Sequence, residues 1–293
     1  MDERPEPATP RAPRDRRGAL LAEARAAAAR RPVDLLAQWS ADSTVRPSPV
    51  DLRTSVALDA LALQSAPAYD ALLLSPVAPL GSASALAPTS QDRTLSTIRP
   101  SEVVSDPTNV LALEAARRLR AAPGEPVRLA TVHQTLRMQD APADPGRTRH
   151  FRLFALADAG RARPDDGFEV ETVIAQLAVH RRLLDAGARE MGLRFAEPAA
   201  LVRTGARHEA LGARIEAAVR AEFPEVAVRR APLEGGYYGG LRIGYGVHGI
   251  DGVFWDVVDL GRFDWVARLT SDRRHRFVAS AIGIQLLPLL AAG

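Results

Sequence analysis

Apolar residues along this chain change period several times, and the changes fall at proline, glycine and acidic residues. After Ser48-Pro49, which reads as a cap followed by a first-turn proline, Val50, Leu52, Val56, Leu58, Leu61 and Leu63 predict a helix with one broad buried face. The apolar run Tyr69-Asp70-Ala71-Leu72-Leu73-Leu74 then reads as a strand closed by Pro76 and Pro79, residues 81–88 as a small-residue loop, and residues 94–98 as another strand. Asp106-Pro107 predicts a helix running to about Leu119, because the aspartate caps free N–H groups and a first-turn proline gives up no hydrogen bond. Val110, Leu111, Leu113, Ala116 and Leu119 form its apolar side, while Arg117, Arg118 and Arg120 suit the negative end of its dipole.

Residues 127–136 and 151–157 read as an antiparallel pair of strands. An amphipathic helix is expected from Asp165 or Asp166 onward, with Val170, Val173, Ile174, Leu177, Leu183 and Leu184 at helical spacing, and another over about 207–223, ended by Pro224. Residues 226–228, 241–243 and 253–258 read as strands between glycine-rich turns. Residues 278–290 fit a strand or a buried helix, and period alone does not choose. No internal repeat is evident.

Composition narrows the picture in a few places. With 293 residues, 46% of them apolar, the chain can bury a sizeable core. The absence of cysteine excludes disulfides and thiolate metal sites, and the six histidines show no pair at helical metal-ligand spacing. Lysine is also absent, so all 38 basic residues are arginine and no phosphate loop of the Gly-Lys-Ser type exists. Net charge is only +3 because 35 acidic residues are interspersed, so nucleic acid is not a favoured partner despite a pI near 9.9. No run of about 18 apolar residues occurs and the N-terminus lacks a signal-peptide pattern, so a cytoplasmic protein with no membrane span is expected. Residues 1–33, rich in Pro, Arg and Ala, are expected to be a disordered arm, and 34–293 one core domain. Within the arm, 18–31 can form an Ala-rich helix that is solvated or touches RNA or a partner.

The chemistry lies between the paired strands. Arg137, with Gly146-Arg147-Thr148-Arg149-His150-Phe151 following, resembles motif 2 of the class II aminoacyl-tRNA synthetases, and among them the histidyl-tRNA synthetase family. The resemblance implies an α+β fold, a class II synthetase-like antiparallel sheet flanked by helices, over roughly residues 48–290. It implies that Arg137 grips the α-phosphate of ATP and Phe151 stacks on adenine, so the cofactor it suggests is ATP or another nucleotide, with magnesium. From the residues alone, Arg137 either binds an anion or pairs with Asp140 or Asp144 in the loop. A helix leading into a strand closed by proline is similar to motif 1, the dimer-forming segment of these enzymes, and implies a homodimer. Leu233-Glu234-Gly235-Gly236-Tyr237-Tyr238-Gly239-Gly240 resembles the family's histidine-specific loop, and Asp259-Leu260-Gly261-Arg262-Phe263-Asp264 its Gly-Gly-Gly-Arg-Tyr-Asp segment. Candidate ligand-binding residues are therefore Arg137, Gln139, Arg147, Arg149, Phe151, Tyr237, Tyr238, Arg262 and Asp264. Asp158, Asp165, Asp166, Glu169 and Glu171 are candidate magnesium ligands, with a solvated helix start as the plainer alternative.

Several departures remove residues that adenylation needs. Thr108 stands where the family's amino-group-binding glutamate is expected, Gln139 replaces a glutamate of motif 2, and Leu153 and Ala157 replace polar histidine-recognising residues. Leu233 replaces a catalytic arginine, and Leu286 replaces the motif 3 arginine that holds the γ-phosphate. Losing one preorganised charge of this kind costs about 10²–10³ in rate. No catalytic residue is therefore assigned, and no anticodon-binding domain is expected. The pattern is similar to the regulatory subunit of ATP phosphoribosyltransferase. It implies a non-aminoacylating, ligand-binding or regulatory protein with a regulated enzyme as partner; a repurposed adenylating ligase or transferase and an RNA-binding module are the alternatives.

Overall fold

The computed structural model describes residues 13–139, 148–249 and 252–291. Its elements, in chain order, are α1 (Pro13–Ala28), α2 (Pro32–Ala41), α3 (Leu52–Gln64), β1 (Asp70–Ala71), β2 (Val77–Pro79), α4 (Ser82–Leu86), β3 (Ser101–Val103), α5 (Pro107–Ala121), β4 (Val127–Leu136) and β5 (His150–Arg161). The chain continues with α6 (Gly167–Met191), β6 (Ala196–Thr204), α7 (Glu209–Glu222), β7 (Ala227–Pro232), β8 (Leu241–His248), β9 (Phe254–Phe263), α8 (Trp265–Thr270), β10 (His275–Ile282) and α9 (Leu287–Ala291). Eight strands form one sheet in the order β1-β4-β5-β10-β9-β8-β6-β7, antiparallel except for the two edge pairs β1–β4 and β6–β7, and β2–β3 is a separate small pair.

Strand alternation sorts the core into two layers. On β5, Phe154 and Leu156 point into a cluster with α3, α6 and α7, while Ala155, Ala157 and Ala159 point to the opposite face, under α5 and α8. The small alanines on that second face, with Ala279 on β10, meet Ala112, Ala115 and Ala116 of α5. Helix α5 begins as its sequence predicts: Asp106 accepts a hydrogen bond from the Thr108 N–H at 3.0 Å, with Pro107 in the first turn.

Several boundaries differ from the expectations. Asp51, rather than Ser48, caps α3, and its buried face is Ser55, Leu58, Leu61 and Ala62, with Leu52, Val56 and Leu63 exposed. Residues 81–88 contain the short helix α4, and the strand expected over 94–98 is a single bridge from Ser96 to Glu102, the regular pairing having moved to β3. The ambiguous C-terminal segment divides, β10 starting at His275 and α9 following from Leu287. β6 and α8 carry no clear period in the sequence. Asp165 and Asp166 adopt left-handed backbone (φ 55° and 54°) and make no side-chain cap to α6. In the N-terminal segment, α1 starts at Pro13 rather than near Gly18, as a first-turn proline permits, and α2 buries no residue. Residues 1–12 lie outside the described residues. Among the described residues, no helix is long and apolar enough to cross a membrane.

Candidate functional site

A cavity of about 460 Å³ opens on the α5 face of the sheet, over β5, β10 and β9. Arg137 stands at one end, immediately after β4. Its N–H donates to the Arg149 carbonyl at 2.9 Å, which closes the β4–β5 ladder and fixes where the side chain leaves the backbone. The side chain folds onto its own scaffold: Nε donates to the Ser105 carbonyl at 3.0 Å, Nη2 lies 3.9 Å from Asp106 Oδ2, and the guanidinium carbon is 5.0 Å from the Phe151 ring centre. Burial lowers the Arg137 pKa, Asp106 pulls the other way, and an arginine remains charged throughout. The cation is thus held against Phe151 and beside Asp106; Asp140 and Asp144, its other candidate partners, and the predicted Arg147 lie outside the described residues.

Gln139, Arg149, Thr148 and Phe151 line the same end of the cavity. Leu153, Ala279, Ala281, Leu286 and Leu289 make an apolar floor, so the position that resembles the motif 3 arginine presents a hydrocarbon side chain to the cavity. Its neighbour Gln285 is used structurally, accepting from the Arg152 N–H at 3.2 Å and donating to Ser48 Oγ at 2.6 Å.

Carboxylates line the cavity at positions that sequence reasoning passed over. Asp106 caps α5 through Oδ1, which also accepts the Thr108 hydroxyl at 2.7 Å, and turns Oδ2 toward Arg137 and the Tyr237 hydroxyl, 3.5 Å away. The charge expected to be lost at Thr108 is therefore present two residues earlier. Asp256 and Asp259 enter from β9. Asp259 accepts from the Tyr238 hydroxyl and from Arg242 Nε at 2.9 Å. Burial raises the pKa of both Tyr237 and Tyr238, and nearby carboxylates add to it. Tyr237 also packs edge-on against Phe263 and Trp265, which stack with ring centres 4.0 Å apart.

Two predicted site residues stand elsewhere. Arg262 points to the α6 face, where Nε is 3.1 Å from Glu169 Oε1 and Nη1 donates to the Gly239 carbonyl at 2.7 Å and contacts His208 Nε2 at 3.1 Å. Asp264 is exposed, 3.6 Å from Arg268, and lines a separate cleft of about 340 Å³ beside α4 and α8. The candidate magnesium ligands are also dispersed: Glu169 is held by Arg262 and Arg276, Glu171 by Arg163, Asp165 and Asp166 by Arg214, and Asp158 by Tyr69 and Gln176.

Steric constraint accounts for the glycines retained around the tyrosines. A Cβ on Gly261 would lie 2.3 Å from Tyr238 Cδ1 and 3.2 Å from the Leu241 carbonyl, and one on Gly240, at φ +91°, would lie 2.2 Å from His208 Nδ1. Gly261→Val is accordingly expected to displace Tyr238 and destabilise the fold by about 1–3 kcal/mol, through overpacking. Urea denaturation measures it, and an unchanged midpoint would show that the ring moves aside freely.

This sheet, with the hairpin β4–β5 and the cavity over β5, β10 and β9, has the fold of the class II aminoacyl-tRNA synthetase core. Among solved structures, it is similar to an ATP phosphoribosyltransferase regulatory subunit/histidyl-tRNA synthetase from Bacillus halodurans, at 13% identity and TM-score 0.60, over 85% of this chain and 83% of that one. It is similar in the same degree (13%, 0.60) to apo histidyl-tRNA synthetase from S. aureus, over 85% of this chain and 68% of that one. The RNA binding domain of threonyl-tRNA synthetase from Cryptosporidium parvum matches at 12% and 0.58, over 85% of this chain and 67% of that one. At such identities the shared property is the fold. No protein-family model and no curated protein matches the chain.

Proposed function

We propose that this protein is a non-aminoacylating, ligand-binding protein built on the class II synthetase core, acting as the regulatory subunit of a partner enzyme. The observation that carries the reading is the composition of one cavity. It keeps a guanidinium against an aromatic ring, Arg137 on Phe151, while Leu286, at the position that resembles the motif 3 arginine, and Leu289 line it with hydrocarbon. A pocket of this kind binds an anion beside a flat group and lacks the charge that drives adenylate formation. A nucleotide or another ring-bearing anion is the ligand proposed for the Arg137 end. The Bacillus halodurans structure, described as an ATP phosphoribosyltransferase regulatory subunit/histidyl-tRNA synthetase, supports an enzyme partner through the first half of that description. A homodimer is proposed as the assembled form, since Leu52, Val56 and Leu73 are exposed on the segments that resemble motif 1.

AMP and inorganic phosphate test the reading by their effect on the melting temperature. Binding at Arg137 is expected to raise it in the wild type and to leave Arg137→Ala unmoved, because a ligand stabilises only a fold that binds it. Pyrophosphate exchange above background with any carboxylate would establish the ligase instead.

A further inference from the structure

The end of the cavity opposite Arg137 differs from it in charge. Among the described lining residues, Asp106 is turned toward Arg137 at the end that also holds Arg149, while Asp256 and Asp259 enter from β9 at the other. Asp259 is hydrogen-bonded to Tyr238 and Arg242. The Asp256 carboxylate accepts no hydrogen bond from the described residues; Arg242 Nη2 is 3.9 Å away, while the Nε of that arginine is bonded to Asp259. Its placement is specific: the carboxylate lies over β8 where a Cβ on Gly244 would come within 2.4 Å of Oδ2, so the bare glycine is what lets Asp256 sit at the cavity wall. Partial burial holds the Asp256 carboxyl above its usual range and Asp259 pushes it up further, while Arg242 and, more weakly, Arg203 pull it down. An incoming ammonium would relieve both the burial and the repulsion. Asp259 also occupies a position at which the resembling segment of the histidyl family has glycine, so this carboxylate belongs to this chain.

We propose that the cavity takes an amphoteric ligand, with a protonated amine docked at Asp256 beside the Tyr238 ring and an anionic group at Arg137, its hydrocarbon body lying on Leu153, Ala281 and Leu286. This rests on the ligand-binding reading above and adds the chemical class of the ligand. Span supports it: the Arg137 guanidinium packs over Phe151 of β5, and β10 alone lies between β5 and β9, so two strand spacings, about 10 Å, separate that ring from Asp256. The floor between them is apolar and would pair with methylenes rather than with a triphosphate.

A matched pair of probes separates the two halves. Titration calorimetry with 6-aminohexanoate and hexanoate is expected to show the amino compound binding at least tenfold more tightly, as a charge-assisted contact at one end predicts. In Asp256→Asn, which alters a partly exposed side chain and should retain the wild-type melting temperature, the two probes should bind alike; in Arg137→Ala both should weaken. Equal affinities in the wild type, or an advantage that persists in Asp256→Asn, overturn the amine end and leave the binding cavity standing, provided AMP or phosphate still binds. If none of AMP, phosphate, hexanoate and 6-aminohexanoate binds, both readings fall.

Discussion

Replacing Glu169 with alanine should lower the stability of this protein by about 3 kcal/mol, the lower part of the range for breaking a buried ion pair. Glu169 sits in the first turn of α6, 2% exposed, and its Oε1 lies 3.1 Å from both Arg262 Nε and Arg276 Nε. One carboxylate thereby holds two guanidiniums from neighbouring strands of the sheet, β9 and β10, against the helix. Without it the two cations face each other across a vacated space, with His208 already against Arg262. Both arginines keep partial solvent access (22% and 26%), which places the effect below the 5 kcal/mol seen for fully buried pairs. Urea denaturation at neutral pH measures it, and a loss under about 1 kcal/mol would show that the arginines relax into solvent. Arg262→Ala should likewise cost stability while leaving AMP and 6-aminohexanoate affinities unchanged, since Arg262 lies on the other face of the sheet from the cavity. That split separates a scaffold role from the ligand contact that its motif suggests.

The contrast between Arg137 and Arg262 shows what could be read from the sequence. Arg137 and Phe151 lie 14 positions apart in one hairpin, so their spacing and the strand pattern on either side were enough to bring them together, at 5.0 Å. Arg262 belongs to a segment equally similar to a family motif, but its partners, Glu169, His208 and Gly239, come from elements distant in sequence. Its role depends on which face of β9 it occupies, and that parity is set by the register with β8 and β10. The same dependence hid Asp256 and Asp259. Asp259 faces the cavity in regular register with β8, and Asp256 joins it on that side through the register shift at Tyr245/Gly246 and the bare Gly244, none of which leaves a periodic signal. β6 was illegible for a different reason. Ala196-Glu197-Pro198-Ala199-Ala200 has low strand propensity and is broken by a bulge, with Glu197 at φ 45°; the strand becomes regular from Ala199, where β8 pairs with it on one side and β7 on the other. The helix face of α3 was overpredicted, since Leu52, Val56 and Leu63 fit the period but face outward, on the surface where a second copy is proposed.

The stability of this fold should fall by about 3 kcal/mol as the pH rises from about 4 to 6 through the contribution of one residue, Asp158. This carboxylate is 2% exposed, and Oδ2 accepts hydrogen bonds from the Tyr69 hydroxyl at 2.9 Å and Gln176 Nε2 at 2.7 Å, with Arg128 Nε 3.3 Å from Oδ1. Burial pushes its carboxyl up to about 6, and the two hydrogen bonds and Arg128 offset only part of that. Between the ordinary carboxyl range and pH 6 the folded protein therefore holds a proton that the unfolded chain has released, and raising the pH favours unfolding. Above pH 6 both states are ionised and the penalty is constant. His180 opposes this trend: burial lowers its pKa to about 3, so the unfolded chain gains a proton first and stability falls as the pH drops below about 6.5. The raw pH profile is thus a sum of opposing slopes, and the informative quantity is the difference between the wild type and Asp158→Asn, in which the carboxyl term is absent. That difference, from urea denaturation at pH 4.5 and 7.5, should favour the variant increasingly as the pH rises, by about 2–3 kcal/mol over the interval. Parallel profiles would mean that Asp158 titrates normally and that Arg128, 48% exposed, compensates it more fully than its 3.3 Å contact implies. Because Tyr69 follows α3 and Gln176 lies on α6, ionisation of this one carboxylate acts on the contact of both helices with β5.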